Sequence, residues 1–166
     1  MPWDTGIKIK RPRADHPMPD ILSRDEVLRL IASPTNIKHQ AVLALLYSTG
    51  MRREELMNLK LSDIDSSRMV IRINLGKGNK SRDALLAVKT LTLLREYYRI
   101  FRPKPQVYVF ESRSNPGQPY SATSIAKIVS RAAKCEGITK KVHPHSLRHA
   151  FATHMLEQGL AVRKPI

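Results

Sequence analysis

The sequence predicts a mainly α protein with one small antiparallel β-sheet, an α+β arrangement. Three observations carry that expectation. Apolar residues recur at helical spacing in several segments, such as Ile125, Ile128, Val129 and Ala132. "RMVIRI" alternates instead, with β-branched side chains at Val70, Ile71 and Ile73. "GKGNK" at Gly76–Lys80 then supplies turn chemistry before "RDALLAV" returns as a second strand.

Taken in order, residues 1–20 hold four prolines and several charges and read as an arm or linker. Residues 21–166 form the folded domain. "SRDE" at Ser23–Glu26 is a capping box: the serine caps amides and the glutamate reaches back. A helix follows to about Ala32, and "SPTN" breaks it. "IKHQAVLALLYSTG" is apolar on most faces from Ala41 to Leu46, so its helix is central, and Gly50 stops it. "RREELMNL" makes a further short helix. In "TLTLLREYYRIF", Leu91, Leu94, Tyr98 and Phe101 share one helical face, and Pro103 and Pro105 end it. "VYVF" at Val107–Phe110 reads as a short strand. Ser121 caps a helix that Gly137 closes, and Pro144 opens a last helix reaching Gly159.

Length suits one domain with a real core. No apolar run approaches the ~18 residues a membrane span needs. "MPWDTGIKIKRPR" lacks the apolar region of a secretion signal, which makes the cytoplasm the expected compartment. A single cysteine, Cys135, excludes an internal disulfide and a cysteine-based zinc site within the chain. The net charge is +15, with a pI of about 10.4. Residues 34–166 carry 23 Lys/Arg against 9 Asp/Glu, so +14 belongs to the folded body. Such a surface suits a polyanion, nucleic acid above all; a merely soluble basic protein is the alternative.

The densest chemistry lies in "KVHPHSLRHAFATHM", Lys141–Met155. His145 and His149 stand four apart, a zinc-compatible spacing. "HSLRH" lacks the glutamate of a metalloprotease helix, however, and Arg148 between the histidines opposes a cation. His149 and His154 also fit as core histidines. His145 and Arg148 share a face near a helix start. One can move a proton near neutral pH; the other presents a planar fork to phosphate. Arg52, just past Gly50, would complete a two-arginine clamp. Lys77, in a Gly-rich hairpin tip, would reach a leaving oxygen. Each motif alone fits a solvated charge equally well.

In order, "TGMRREEL", "GKGNKSR" and "HPHSLRHAFATHM" resemble the tyrosine recombinases, as do the flanks "LSRDEVLRLI", "HQAVLALLYSTG" and "LKLSDID". The resemblance covers about residues 20–163. It implies that Arg52 and Arg148 bind the scissile phosphate and that His145 assists proton transfer. Lys77 would be the general acid for the 5′ oxygen, and Glu55 would buttress Arg52. Arg53, Lys80, Arg82, Lys140, Lys141 and His149 are the further candidate DNA contacts. It implies double-stranded DNA and other recombinase protomers as partners, with no metal, cofactor, nucleotide or membrane.

Two departures shape the expectation. Such proteins carry a nucleophilic tyrosine beyond the H-x-x-R helix. Here Tyr47, Tyr97, Tyr98, Tyr108 and Tyr120 all precede Arg148. The amino-terminal DNA-clamping domain is also missing. The expectation is therefore a catalytic core truncated at both ends and unable to cleave in cis. A tyrosine supplied by another protomer remains open, as does a role as a DNA-binding regulator of a full-length recombinase. So does a phosphodiesterase or ribonuclease, with His145 as base, Lys77 as acid, and water or a 2′-hydroxyl attacking.

Overall fold

Ser23 opens the first helix as its sequence demands. Its Oγ accepts the Glu26 amide at 3.1 Å, and Glu26 Oε2 accepts the Ser23 amide at 2.8 Å. The computed structural model describes residues 20–74 and 80–159. The helices are α1 (Arg24–Ala32), α2 (Ile37–Thr49), α3 (Arg53–Met57), α4 (Val88–Ile100), α5 (Ala122–Cys135) and α6 (Pro144–Glu157). The strands are β1 (Ile64–Asp65), β2 (Val70–Asn74) and β3 (Ser81–Leu85). They form one antiparallel sheet in the order β1-β2-β3. Ile71 pairs with Ala84 in its register, and Asn74 with Ser81.

The apolar run of α2 explains its place. Ala41, Val42, Leu43, Leu45 and Leu46 are fully buried. Helices α1, α3, α4, α5 and α6 all pack against it. Helix α5 turns Ile125, Ile128, Val129 and Ala132 inward, as its spacing predicts. The sheet adds Ile71 and Ile73 from β2 and Ala84 from β3 to the same core.

Two expectations need correction. "VYVF" is not a strand: among the described residues it makes one bridge, Lys60 to Tyr108, flanked by two backbone bonds to Leu59 and Leu61. The segment curls around the buried Glu111 carboxylate instead. Glu111 Oε1 accepts the amides of Gln106, Val107 and Tyr108, and Oε2 accepts that of Gly117. Those amides satisfy a side chain where a strand would satisfy a neighbour. Second, Tyr97 rather than Tyr98 faces inward from α4. Its hydroxyl donates to the Val109 carbonyl at 3.1 Å, while Tyr98 is exposed. The "SDID" stretch adds β1, for which the sequence carried no expectation because the strand is too short for its alternation to show. The turn expected at Gly76–Lys80 lies, apart from Lys80, outside the described residues.

Candidate functional site

Helix α2 ends at Gly50 in the left-handed conformation, φ +62°. A Cβ there would lie 2.3 Å from Phe151 of α6. Glycine thus serves twice, for the backbone sign and for the close approach of α6. The chain then buries Met51 and presents Arg52 as the N-cap of α3. One turn on, Glu55 reaches back. Its Oε2 accepts the Arg52 amide at 2.8 Å, and its Oε1 accepts Arg52 Nη1 at 3.1 Å.

Helix α6 brings the second half. His143 is its N-cap and Pro144 its first residue, where no amide is missed. The His143 amide donates to Ser146 Oγ at 3.1 Å. Leu147 and Ala150 are fully buried and fix the helix's rotation. Arg148 Nη1 donates to the Gly50 carbonyl at 2.9 Å and lies 4.0 Å from Glu55 Oε2. Arg82 of β3 donates from Nη2 to that same oxygen at 3.1 Å.

One carboxylate therefore orients three guanidiniums. The Glu55 side chain is 6% exposed, against 56% for Arg52, 36% for Arg82 and 29% for Arg148. Three positive charges against one negative leave an excess of two at the surface. Arg52, Arg53, His143, His145, Arg148 and Ala126 wall a cleft of about 360 Å3 there. Burial, then repulsion from His149, His143, Arg148 and Arg52, holds His145 below the ordinary imidazole range. Burial and the neighbouring Arg52 and Arg82 likewise lower Arg148, and Glu55 opposes them. Arg148 stays a cation at neutral pH regardless. A tetrahedral dianion or diester entering the cleft would meet two forks and an imidazole, and would relieve their repulsion.

The structure thus brings Arg52, His145, Arg148 and Glu55 together. Lys77 lies outside the described residues; Asn74 and Ser81 are the last described pair on its side of the sheet. Arg53 stands at the cleft rim and pairs with Glu54 at 2.6 Å. Lys80 and Lys141 are exposed. Lys140 is tied down, donating to Glu26 Oε2 at 2.9 Å and to the Ile21 carbonyl at 3.1 Å. His149 is exposed beside His145, ring centres 4.2 Å apart, so the core reading fails for it. It holds for His154, which is buried with Nδ1 2.8 Å from the Tyr47 hydroxyl. Among the described residues no three His, Cys, Asp or Glu side chains are grouped to hold a metal. None of the five tyrosines lines the cleft. Sequence reasoning missed the Arg82–Glu55 bond and the Gly50–Phe151 contact. Both join residues far apart in the chain, and neither has a local signal.

Comparison with known proteins shows the family of the chain. Residues 20–164 match the phage integrase family. The chain is 38% identical over 161 residues to the putative integrase/recombinase y4qK of Sinorhizobium fredii, covering 97% of this chain and 51% of that protein. It is 36% identical over 168 residues to the tyrosine recombinase XerD of Staphylococcus saprophyticus, covering 96% and 57%. The crystal structure of XerA recombinase superposes with a TM-score of 0.80 at 34% identity, over 95% of this chain and 56% of that one. The chain spans a little over half the length of these relatives. With the family model matched over residues 20–164 and the fold shared with XerA recombinase, the chain belongs to the phage integrase family.

Proposed function

We propose that this domain grips the scissile phosphate of double-stranded DNA, as the catalytic core of a tyrosine site-specific recombinase or integrase. The carrying observation is the pair Arg52 and Arg148. They come from different elements, are aimed into one cleft, and are held by Glu55 and the Gly50 carbonyl. A solved relative supports the substrate class: XerH recombinase bound to its difH site, TM-score 0.72 at 25% identity, over 85% of this chain and 50% of that one.

In this reaction a tyrosine oxygen attacks the phosphorus. The bond to the 5′ oxygen breaks, a 3′ phosphotyrosine forms, and the 5′ oxygen takes up a proton. Arg52 and Arg148 stabilise the charge that builds on the two non-bridging oxygens. His145, neutral at rest, bonds the phosphate and assists the proton transfers. Lys77 is the proposed acid for the 5′ oxygen. The two guanidiniums supply the positive charge, so the scheme uses no metal, nucleotide or other cofactor. The nucleophile comes from outside these 166 residues, because none of the five tyrosines lines the cleft. Other recombinase protomers are the proposed protein partners. Action on double-stranded DNA implies the cytoplasm, and no described helix is long and apolar enough to cross a membrane.

Duplex binding followed by fluorescence anisotropy tests this. Arg52→Ala and Arg148→Ala should each weaken binding about tenfold or more, at unchanged helical content. Wild-type affinity in both variants would overturn the assignment.

A further inference from the structure

A second cleft, also of about 360 Å3, lies beside the first. Lys141, His143, His145, Ser146, His149 and Asp20 line it, and His143 and His145 wall both clefts. The rings form an arc. His145 stands 4.2 Å from His149, edge to face at 76°, and 6.3 Å from His143, nearly parallel at 10°. Among the described residues no carboxylate pairs with Lys141, His143, His145 or His149. The one acid in the wall is Asp20, and among the described residues it makes no ion pair. Ser146 Oγ accepts the His143 amide, which leaves its own proton for a ligand oxygen.

Three imidazoles, a lysine and a free hydroxyl proton present donors to one hollow, and Asp20 is the single carboxylate in its wall. A structural role does not account for it, because His143, His145 and His149 are exposed and fill no core. A metal does not suit it either, with Arg52 and Arg148 adjoining through the shared wall. An anion suits every polar group in the wall but Asp20. Because His143 and His145 wall both clefts, anions held in the two would be neighbours across that shared wall.

We infer that this second cleft is a subsite for the phosphate neighbouring the scissile one, and that filling it draws protons onto the histidine arc. The inference rests on the DNA-cleavage reading above. The charged groups that line the two clefts with the arc are Arg52, Arg53 and Glu54 at the start of α3, Arg148 on α6, Lys141 before α6 and Asp20 before α1. Arg53 and Glu54 pair with each other, and of the rest only Asp20 is negative, so the arc stands mainly among cations while the cleft is empty. A phosphate reverses that balance, since an imidazolium donates to it and a neutral ring cannot do so from both nitrogens. Affinity then rises as pH falls, by up to tenfold per pH unit for each proton taken up.

The probe is a short random-sequence duplex, titrated between about pH 8 and about pH 6, the range where imidazoles change charge. Wild-type affinity should rise about tenfold or more across it. The double variant His143→Gln/His149→Gln, in which the proposed catalytic His145 is intact, should flatten that rise to about threefold or less. Lys141→Gln should weaken binding at every pH and leave the slope alone. A second arm uses inorganic phosphate and the imidazole NMR signals of the Arg148→Ala protein. The His149 signals should still respond to phosphate, since the second cleft does not need the clamp. An unchanged pH slope in the double variant, or a His149 response lost with Arg148, overturns the subsite. If instead Arg52→Ala and Arg148→Ala both bind DNA like wild type at pH 8, it is the cleavage reading that fails.

Discussion

Arg82 of β3 donates to Glu55 Oε2 across 3.1 Å, the same oxygen that receives the Arg52 amide. The sheet and the clamp therefore share one carboxylate. Glu55→Gln keeps the shape and removes the charge. Its three arginine partners are partly exposed, so solvent limits the loss. We expect about 1–2 kcal/mol of destabilisation, seen as a fall of about 2–8 °C in Tm. A change within about 0.5 kcal/mol would mean the three contacts behave as ordinary surface pairs.

Gly50→Ala should cost more than Gly137→Ala. Both glycines have positive φ, +62° and +65°. A Cβ at 137 meets nothing within 4 Å, so backbone strain of about 1–2 kcal/mol is the whole cost there. At 50 it strikes Phe151, adding about 1–3 kcal/mol of overpacking and pushing α6 from the clamp. Equal Tm shifts for the two variants would contradict the close approach.

Arg148→Lys should not rescue phosphate binding. Arg148 spends one nitrogen on the Gly50 carbonyl and has the rest of its fork for the ligand. A lysine offers one ammonium for both tasks. Competition with vanadate should show a loss of about tenfold or more. Lys77→Ala should cost less if Lys77 has the proposed role, because an acid acts on the leaving group rather than on the ground state. Equal losses for Arg52, Arg148 and Lys77 variants would describe a diffuse basic patch.

Duplex binding should be weak in sequence preference and steep in salt. With about five phosphates contacted, log K against log salt should slope near −4 to −5. A flat response would remove the basic surface from the account.

Lys38 supplies a pH dependence of stability. It is 3% exposed, donates to the Glu111 carbonyl at 2.6 Å and lies 3.8 Å from the Tyr120 ring centre. Burial, only partly offset by Glu111, pushes its ammonium down to about 8. The folded chain thus holds this proton less tightly than the unfolded one. The penalty is complete below about pH 8 and is relieved as pH rises toward about 10.4, the ordinary lysine value. Wild type should gain stability relative to Lys38→Met across that window, in paired denaturation curves. Parallel profiles would show that Lys38 keeps an ordinary lysine value in the folded state.

Local chemistry was legible in the sequence, and long-range pairing was not. The Ser23–Glu26 box, the Gly50 stop and the α5 stripe each depend on neighbours within about two helical turns, and each stands where expected. "VYVF" misled because its β-branched residues look like a strand, while Glu111 takes the amides a strand partner would need. Tyr98 misled because both tyrosines fit the α4 stripe, and only the carbonyl of Val109 selects Tyr97. At the site, motif order picked out Arg52, His145 and Arg148, which stand within the first two turns of α3 and α6, and the structure brings the three to one cleft. The bonds that aim them reach from Arg82 to Glu55 and from Arg148 to Gly50, and no spacing in the sequence announces those.

The central claim is a phosphate clamp for DNA strand transfer whose nucleophile lies outside these residues. Covalent trapping on a suicide duplex, read on a denaturing gel, tests it most directly. The chain is assayed alone, then with a recombinase protomer that has its tyrosine but lacks both clamp arginines, on that protomer's own site. The account predicts no protein-linked DNA from the chain alone. It predicts an adduct at the partner's mass when the two are mixed, lost when this chain carries Arg148→Ala. An adduct at this chain's own mass, on any of its five tyrosines, would contradict it.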